Sequence, residues 1–435
     1  MNGARIVVAG AGIAGLACAT ELVARGCDDV VVLEAEPRAG GPAETVRIGG
    51  YLVERGPNTV RANPELLALI ERAGLAPVEA RRASPAFVAD GEVVVLPPSP
   101  RALLAGRVLP VAALLGVLAE PLRPVGRAPR TVRQLVEERF GAAVAERLAD
   151  LMTLGVYGTS AERIGFEAAF PELAARLAAA GGRFTGLVLR SLRGSGAARP
   201  RVISTELGLG GLCQRLAERL GARLRTRSAL RRARKTRAGF ELELDSGEKL
   251  DCERLVLALP PAAAARVLEL PDTALLEDYP TQPQVLASFA LEDAACAERW
   301  PLLGILAPQR ERLPFIGCLM PGNLFPGRAA AGALLLSVFA ASGLHGASDA
   351  ALAREIAPAL MRLLGAAREP TLLDVARWPA GIPLYDVGHP ERTRALRERL
   401  RAWGGPLLCG MSYDGVAFAA AAASGAAAAR QLLDD

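Results

Sequence analysis

The sequence predicts an α/β protein: a Rossmann-like dinucleotide-binding domain joined to a mixed-sheet second domain and a helical subdomain. Three observations predict it. Residues 4–41 run in the order strand, glycine turn, helix, strand. A second glycine loop, within 406–418, opens an alanine-rich helix containing Ser424 and Gly425. Between these ends, apolar runs of strand length alternate with turns, and the block 130–151 repeats its apolar residues at helical spacing.

The first unit is the most informative. Residues 6–9 form a short apolar run suited to a strand buried on both faces, and Gly10-Ala-Gly12-Ile13-Ala14-Gly15 turns it into a helix over about 13–25. Gly10 permits the tight turn, Gly12 lets the backbone approach a pyrophosphate, and Gly15 lets helix and strand pack closely. The N–H groups at the helix start, around Ile13 and Ala14, and the positive end of its dipole suit an anion. A second strand, 30–33, ends on Glu34, nineteen positions after Gly15, where a carboxylate can accept hydrogen bonds from both ribose hydroxyls of an adenosine. Arg38-Ala-Gly40-Gly41 adds a guanidinium beside the pyrophosphate and a flexible exit. This Glu-x-x-x-Arg-x-Gly-Gly arrangement resembles the flavoproteins of the amine oxidase and protoporphyrinogen oxidase superfamily, which implies FAD rather than NAD.

With 435 residues the chain exceeds one ordinary core, and two or three domains are expected. The net charge of +5 rests on many arginines and only two lysines, Lys235 and Lys249, a bias that reads as codon composition with solvated arginines and not as nucleic-acid binding. Seven cysteines without a CxxC spacing fit reduced thiols. The first strand begins without a charged, cleavable apolar leader, so the expectation is a cytoplasmic protein, with the inner face of the membrane left open.

Further along, 45–57 reads as a hairpin turning at Gly49-Gly50 and delivering Gly56-Pro57-Asn58, and Pro64 starts a helix over 63–73. In the resembling family this Gly-Pro loop lies against the flavin. After Pro97-Pro98-Ser99-Pro100 comes the apolar run 102–122, interrupted by Arg107 and Pro110 and too short to span a bilayer. Two readings stay open for it, a buried helical pair or a surface resting on the membrane, the latter being the family's usage. The helical block then leads to Gly155-Val156-Tyr157-Gly158 and Phe170-Pro171, which resemble a block specific to protoporphyrinogen oxidases. Residues 183–200 read as a solvated basic loop. A glycine-opened helix over 207–220 is followed by strands at 223–230, 240–244 and 254–259. By resemblance, the backbone of Leu230 on the first of these pairs with the adenine edge.

Strand-like runs at 285–291, 315–319 and 334–339, with a helix over 348–364, are expected to wall a substrate cavity. The segment from Arg377-Trp378-Pro379 to Tyr385 resembles the family's path back to the flavin, and His389 beyond it reads as a structural or solvated histidine. Last comes Cys409-Gly410-Met411-Ser412-Tyr413-Asp414-Gly415-Val416-Ala417-Phe418. This loop opens a helix whose free N–H groups can face the flavin pyrimidine ring and stabilise charge developing there.

The matching blocks span essentially the whole chain. By position the resemblance divides it into a FAD-binding domain in three parts (1–75, 201–268, 396–435), a helical, membrane-contacting subdomain (76–200) and a substrate domain (269–395). Noncovalent FAD is expected, held by Gly10, Gly12, Ile13, Ala14, Gly15, Glu34, Arg38, Gly40, Gly41, Gly56, Pro57, Asn58, Leu230, Gly410, Met411, Val416, Ala417 and Phe418. For the substrate, the Gly155 carbonyl could face a pyrrole N–H, Leu303 and Leu306 stand where the family has an aromatic clamp, and Val338 replaces a methionine. Pro85 stands where the family has an arginine that anchors a propionate, with Arg81 and Arg82 as substitutes. Ala419 to Ala423 is plain alanine where the family has Asn-Asp-Cys-Ile. The implied activity is porphyrinogen dehydrogenation by hydride transfer to the flavin, with oxygen or another electron acceptor. A related dehydrogenation of another apolar metabolite and a silent flavin-binding partner protein are the alternatives, and a homodimer is left open.

Overall fold

The computed structural model describes residues 3–96, 116–193, 201–269 and 274–434. Two seven-stranded sheets organise it. In the first, Gly3–Ala9 lies at the centre, parallel to Val30–Leu33 on one side and to Lys249–Leu257 on the other. Its Val7 and Val8 are fully buried, as a strand covered on both faces requires. Lys249–Leu257 pairs antiparallel with Phe240–Leu244 in its first half and parallel with Leu407–Leu408 at its end. One face is covered by the helices Ile13–Ala24, Pro64–Arg72, Gly208–Leu220 and Phe418–Asp434. The last of these explains its alanines: it crosses Ile13–Ala24 so closely that a Cβ on Gly425 would lie 1.9 Å from the Ala14 carbonyl oxygen.

The second sheet runs Thr371–Pro383, Thr281–Leu291, Leu334–Ala340, Phe315–Leu319, Leu302–Leu306, Ser84–Ala89, Glu92–Val95. Val285, Ala287, Phe289 and Leu291 face the helix Asp349–Leu364 and pack with its Leu352, Ile356 and Leu360. Alternate residues therefore face the other way, toward the first sheet's loops. Ionic contacts join the halves. Arg55 grips Asp374 through two bonds of 2.9 and 2.6 Å, and the buried Arg328 donates to Glu54 and Ser204 at 2.9 and 2.7 Å.

Four expectations differ from the structure. The segment 76–200 is not helical throughout, because 84–95 folds as a strand pair whose alternating Ala86 and Val88 complete the second core. The basic stretch 183–200 is not a loop where described: Phe184–Arg193 is helical. Its start is capped from a distance by the Glu120 carboxylate, which accepts from the N–H groups of Phe184 and Thr185 and is itself held by the fully buried Arg139. The strand expected over 223–230 divides into Leu224–Arg225 and Leu230–Lys235, since Arg227 takes a positive φ of 52° between them. The helix expected over 130–151 breaks at Gly141, φ 91°, and continues to Tyr157. Most of the apolar run 102–122 lies outside the described residues. Its visible end is helical at 116–118 and at Glu120–Leu122.

Candidate active site

The glycine turn forms as its residue types demand. Gly10 has φ 98°, and a side chain there would strike the Ala258 carbonyl oxygen at 2.6 Å. At Gly15 a Cβ would meet the Gly10 oxygen at 1.8 Å, so the glycine lets the helix start close over the strand. Gly12 is different: a Cβ added to it meets nothing within 4 Å. The opening in front of it is bordered by Gly41, whose own Cβ would lie 3.5 Å from the Gly12 Cα. The helix beginning at Ile13 has no side-chain cap and no acidic residue in its first turn. Its first N–H groups, around Ile13, Ala14 and Gly15, have no acceptor within the helix. An opening lined by glycine backbone and uncapped N–H groups fits a diphosphate.

Glu34 sits at the end of the second strand with its side chain turned to the same opening. One carboxylate oxygen accepts the Ala11 N–H at 2.7 Å and the other the Glu36 N–H at 2.9 Å. Each oxygen retains one acceptor site, as two ribose hydroxyls would require. Leu230 lies near this end, because Ser228 N–H donates to the Glu34 carbonyl at 2.8 Å and Leu230 begins an edge strand. Arg38, expected beside the pyrophosphate, is held by the loop it belongs to. Its guanidinium bonds the carbonyls of Gly41, at 2.8 Å, and of Ala39 and Ala43, and pairs with Glu44 at 3.3 Å, so it staples the Gly40-Gly41 bend.

Beyond the bend, Gly56 passes so near Pro42 that a Cβ would lie 2.0 Å from its carbonyl oxygen. Pro57 follows, and Asn58 is buried, donating to the Gly56 carbonyl at 3.1 Å and accepting from Ser337 on the second sheet at 3.3 Å. The C-terminal loop is held as firmly. Ser424 accepts the Gly410 N–H at 2.8 Å and donates to Asp414 at 2.5 Å, and Arg397 pairs with Asp414 at 2.7 Å. Gly410 and Gly415 have φ of 121° and 125°. Met411, Val416 and Phe418 are partly buried and Ala417 is exposed at the start of the last helix, and Ala417 accepts its first bond, from Ala421, at 2.9 Å.

On the substrate side, Gly155 lies on the helix Asp150–Tyr157, against the second sheet, with Leu306 as the nearest atom to a Cβ there, at 3.7 Å. Leu306 faces the helix together with Gly317. Leu303 is half-buried and, like Leu306, is absent from the core beneath the sheet. Val338 is not brought to this face. It is fully buried toward the helix Asp349–Leu364, because the strand alternation turns Ser337 and Phe339 to the site side instead. Phe339, one position further on, pairs in register with Gly317. Pro85 is exposed beside Gly304. Arg81 and Arg82 are exposed just before that strand, and their guanidinium groups have no carboxylate partner among the described residues.

Gln284 had no sequence signal, and no local pattern hinted at the contacts that Tyr385 and His389 make. Gln284 is buried with both amide atoms unpartnered, against Gly158, where a Cβ would approach its Nε2 to 2.3 Å. Tyr385 extends its hydroxyl into the C-terminal loop, as does the buried His389 ring, whose Nε2 lies 2.9 Å from the Ser412 carbonyl oxygen. Both lysines are remote, at the end of the edge strand Leu230–Lys235 and the start of Lys249–Leu257.

Residues 13–433 match the sequence profile described as flavin containing amine oxidoreductase. The chain belongs to this family. It is an FAD-dependent oxidoreductase, and the glycine cradle, the uncapped helix and the spare acceptor sites of Glu34 fit that cofactor. Among curated relatives of this flavin amine oxidoreductase, the chloroplastic protoporphyrinogen oxidase of Oryza sativa subsp. japonica is 28% identical, the match covering 99% of this chain and 89% of that protein. Coproporphyrinogen III oxidase of Bacillus subtilis (strain 168) is 24% identical, covering 94% of both. In fold, the chain is similar to the crystal structure of a provisionally named protoporphyrinogen oxidase from Exiguobacterium sp. 255-15, with a TM-score of 0.85, 24% identity and all of both chains covered. It is also similar to reduced UDP-galactopyranose mutase, with a TM-score of 0.78, 14% identity and 99% and 96% covered.

Proposed function

We propose that this flavoenzyme dehydrogenates a porphyrinogen-type tetrapyrrole in heme biosynthesis. The observation that carries the reading is the full-length likeness to proto- and coproporphyrinogen oxidases, together with the placement of Gly155 against Leu306, which also lies beside Gly317. The division of labour we propose follows the two sheets: the first holds FAD through the residues named above, and the second walls the substrate. When bound, FAD supplies a two-electron acceptor for hydride from a C–H bond, and the companion proton leaves from a pyrrole N–H. The chain's own part is to orient and to exclude water. The apolar Leu303, Leu306 and Phe339 form a dry wall, and the exposed backbone of Gly155 can offer its carbonyl to a pyrrole N–H. Arg81 and Arg82 are the cations nearest Pro85 in sequence for a substrate carboxylate. Oxygen or another acceptor returns the cofactor to its oxidised state.

FAD is held noncovalently in this reading, since the Cys409 thiol is buried and burial pushes its pKa far above the ordinary thiol range. We place the protein in the cytoplasm, consistent with its free cysteines. Among the described residues no helix is long and apolar enough to cross a membrane. Leu118 and Leu122, at the visible end of the apolar run, are 74% and 88% exposed, which favours a surface resting on a bilayer over a buried helical pair. A second reading, dehydrogenation of another apolar metabolite, is favoured by Pro85, which leaves its strand position without a cation. Porphyrin fluorescence decides between the two. Enzyme mixed with protoporphyrinogen or coproporphyrinogen should generate it well above the autoxidation rate, and a rate equal to the enzyme-free control would reject the tetrapyrrole reading.

A further inference from the structure

The C-terminal loop is closed from behind by two stacked rings. Tyr385 and His389 lie with centroids 3.7 Å apart and planes 19° from parallel. The Tyr385 hydroxyl donates to the Met411 carbonyl at 2.9 Å and accepts the Gly415 N–H at 2.6 Å. One oxygen atom thus ties the two ends of the bend 411–415 together. His389 holds the middle of the same bend through the Ser412 carbonyl, at 2.9 Å. On its other side Tyr385 meets the ring of Tyr157, 6.0 Å away at the end of the helix that carries Gly155. The stack therefore touches both the loop that opens the helix Phe418–Asp434 and the element that carries the substrate-side glycine.

We propose that the Tyr385–His389 stack is a positioning device for the cofactor: it fixes the bend 411–415 so that the N–H groups opening the last helix are already aimed at the pyrimidine end of the flavin. Neither ring needs to touch the reacting atoms. Preorganised donors stabilise developing negative charge because they need not reorient when it appears. Without the Tyr385 bridge, Gly415, at positive φ, and Met411 lose a shared partner; the Ser424, Asp414 and Arg397 contacts hold the neighbouring Gly410 and Asp414 but do not join 411 to 415. The inference rests on the flavin's place in this site and not on which metabolite is oxidised.

The test is Tyr385→Phe, which keeps the ring and removes only the bridging oxygen. FAD affinity, the visible flavin spectrum and the two-electron midpoint potential are measured on purified protein, with thermal unfolding of the apoprotein alongside. The expected result is roughly tenfold weaker FAD binding, the scale of one or two lost hydrogen bonds. An altered flavin band and a more negative potential should accompany it, with apoprotein stability little changed. Tyr279→Phe is the control. It removes a buried hydroxyl from the same aromatic cluster, one bonded to Thr393 at 3.1 Å and not to the loop backbone, and should leave affinity, spectrum and potential at wild-type values. Wild-type values in Tyr385→Phe, or equal shifts in Tyr279→Phe, would overturn the proposal. Should Tyr385→Phe yield no soluble protein, His389→Phe decides, since it keeps the stack but frees Ser412: a smaller shift in the same direction supports the device, and unchanged flavin properties reject it.

Discussion

Gly425 and Ala14 bring the last helix and the first into backbone contact, with space at the crossing for a hydrogen but not for a methyl group. Gly425→Ala should therefore force the two helices apart, displacing the turn that starts at Ile13. Overpacking of this kind costs about 1–3 kcal/mol. The expected outcome is a lower thermal midpoint together with reduced flavin content, both read on the same preparation. A variant with wild-type stability and full flavin would show that the crossing is not tight.

Glu34→Ala removes the acceptor for two ribose hydroxyls and also the partner of the Ala11 and Glu36 N–H groups. The charge-assisted bonds are worth about 1.5–3 kcal/mol each. Soluble but largely colourless protein is expected. Full flavin occupancy in dilute solution would remove Glu34 from the cofactor site.

Precipitation with acid should leave a white pellet and a yellow supernatant, because the buried, protonated Cys409 thiol is no nucleophile toward the cofactor. Colour retained in the washed pellet would mean a covalent bond.

Replacing Arg81 and Arg82 together by alanine should raise KM for a porphyrinogen carrying carboxylates while leaving flavin reduction at saturating substrate nearly intact, since the contact exists in ground and transition states alike. An unchanged KM would assign the carboxylates to other cations.

Burial holds the His389 pKa below its ordinary 6.5, and Arg392 pushes the same way, against the Ser412 carbonyl, Asp386 and Asp414; the rings of Tyr279 and Tyr385 complete its surroundings. The unfolded chain thus takes up this proton at higher pH than the folded protein does. The stability tied to His389 is complete above about pH 6.5 and is lost as the pH falls below it. Thermal midpoints measured on either side of that value should fall with acid in the wild type and fall less in His389→Phe. Equal slopes would mean that another group governs the acid limb.

Much of the first sheet is legible in the sequence because its signals are local: a glycine turn, a strand covered on both faces and an acid at the end of its neighbour each depend on residues close in the chain. The strand Val30–Leu33 and the hairpin strands Thr45–Ile48 and Tyr51–Glu54 fall where their patterns place them. What escaped is set by distant partners. The helix Phe184–Arg193 depends on a carboxylate at Glu120, far upstream, and that carboxylate depends in turn on Arg139. The strands at 84–95 join a sheet whose other members begin only at Thr281. Val338 and Phe339 differ by one step of the pleat, and pairing with strands distant in the sequence decides which of them faces the second core. The site of Tyr385 and His389 is invisible locally because their importance lies in the backbone they hold, not in their spacing.

The central strand Gly3–Ala9 finds one neighbour almost at once, in Val30–Leu33, but waits for the other until Lys249–Leu257, and the helix behind it receives its largest cover from Phe418–Asp434. On the ribosome, the apolar back of Ile13–Ala24 emerges first and is sheltered last. Apolar surface left uncovered in this way is prone to aggregation until its partner packs on it. The two ends of the chain thus meet at the nucleotide-binding turn, and the packing of Phe418–Asp434 on Ile13–Ala24 completes the first core.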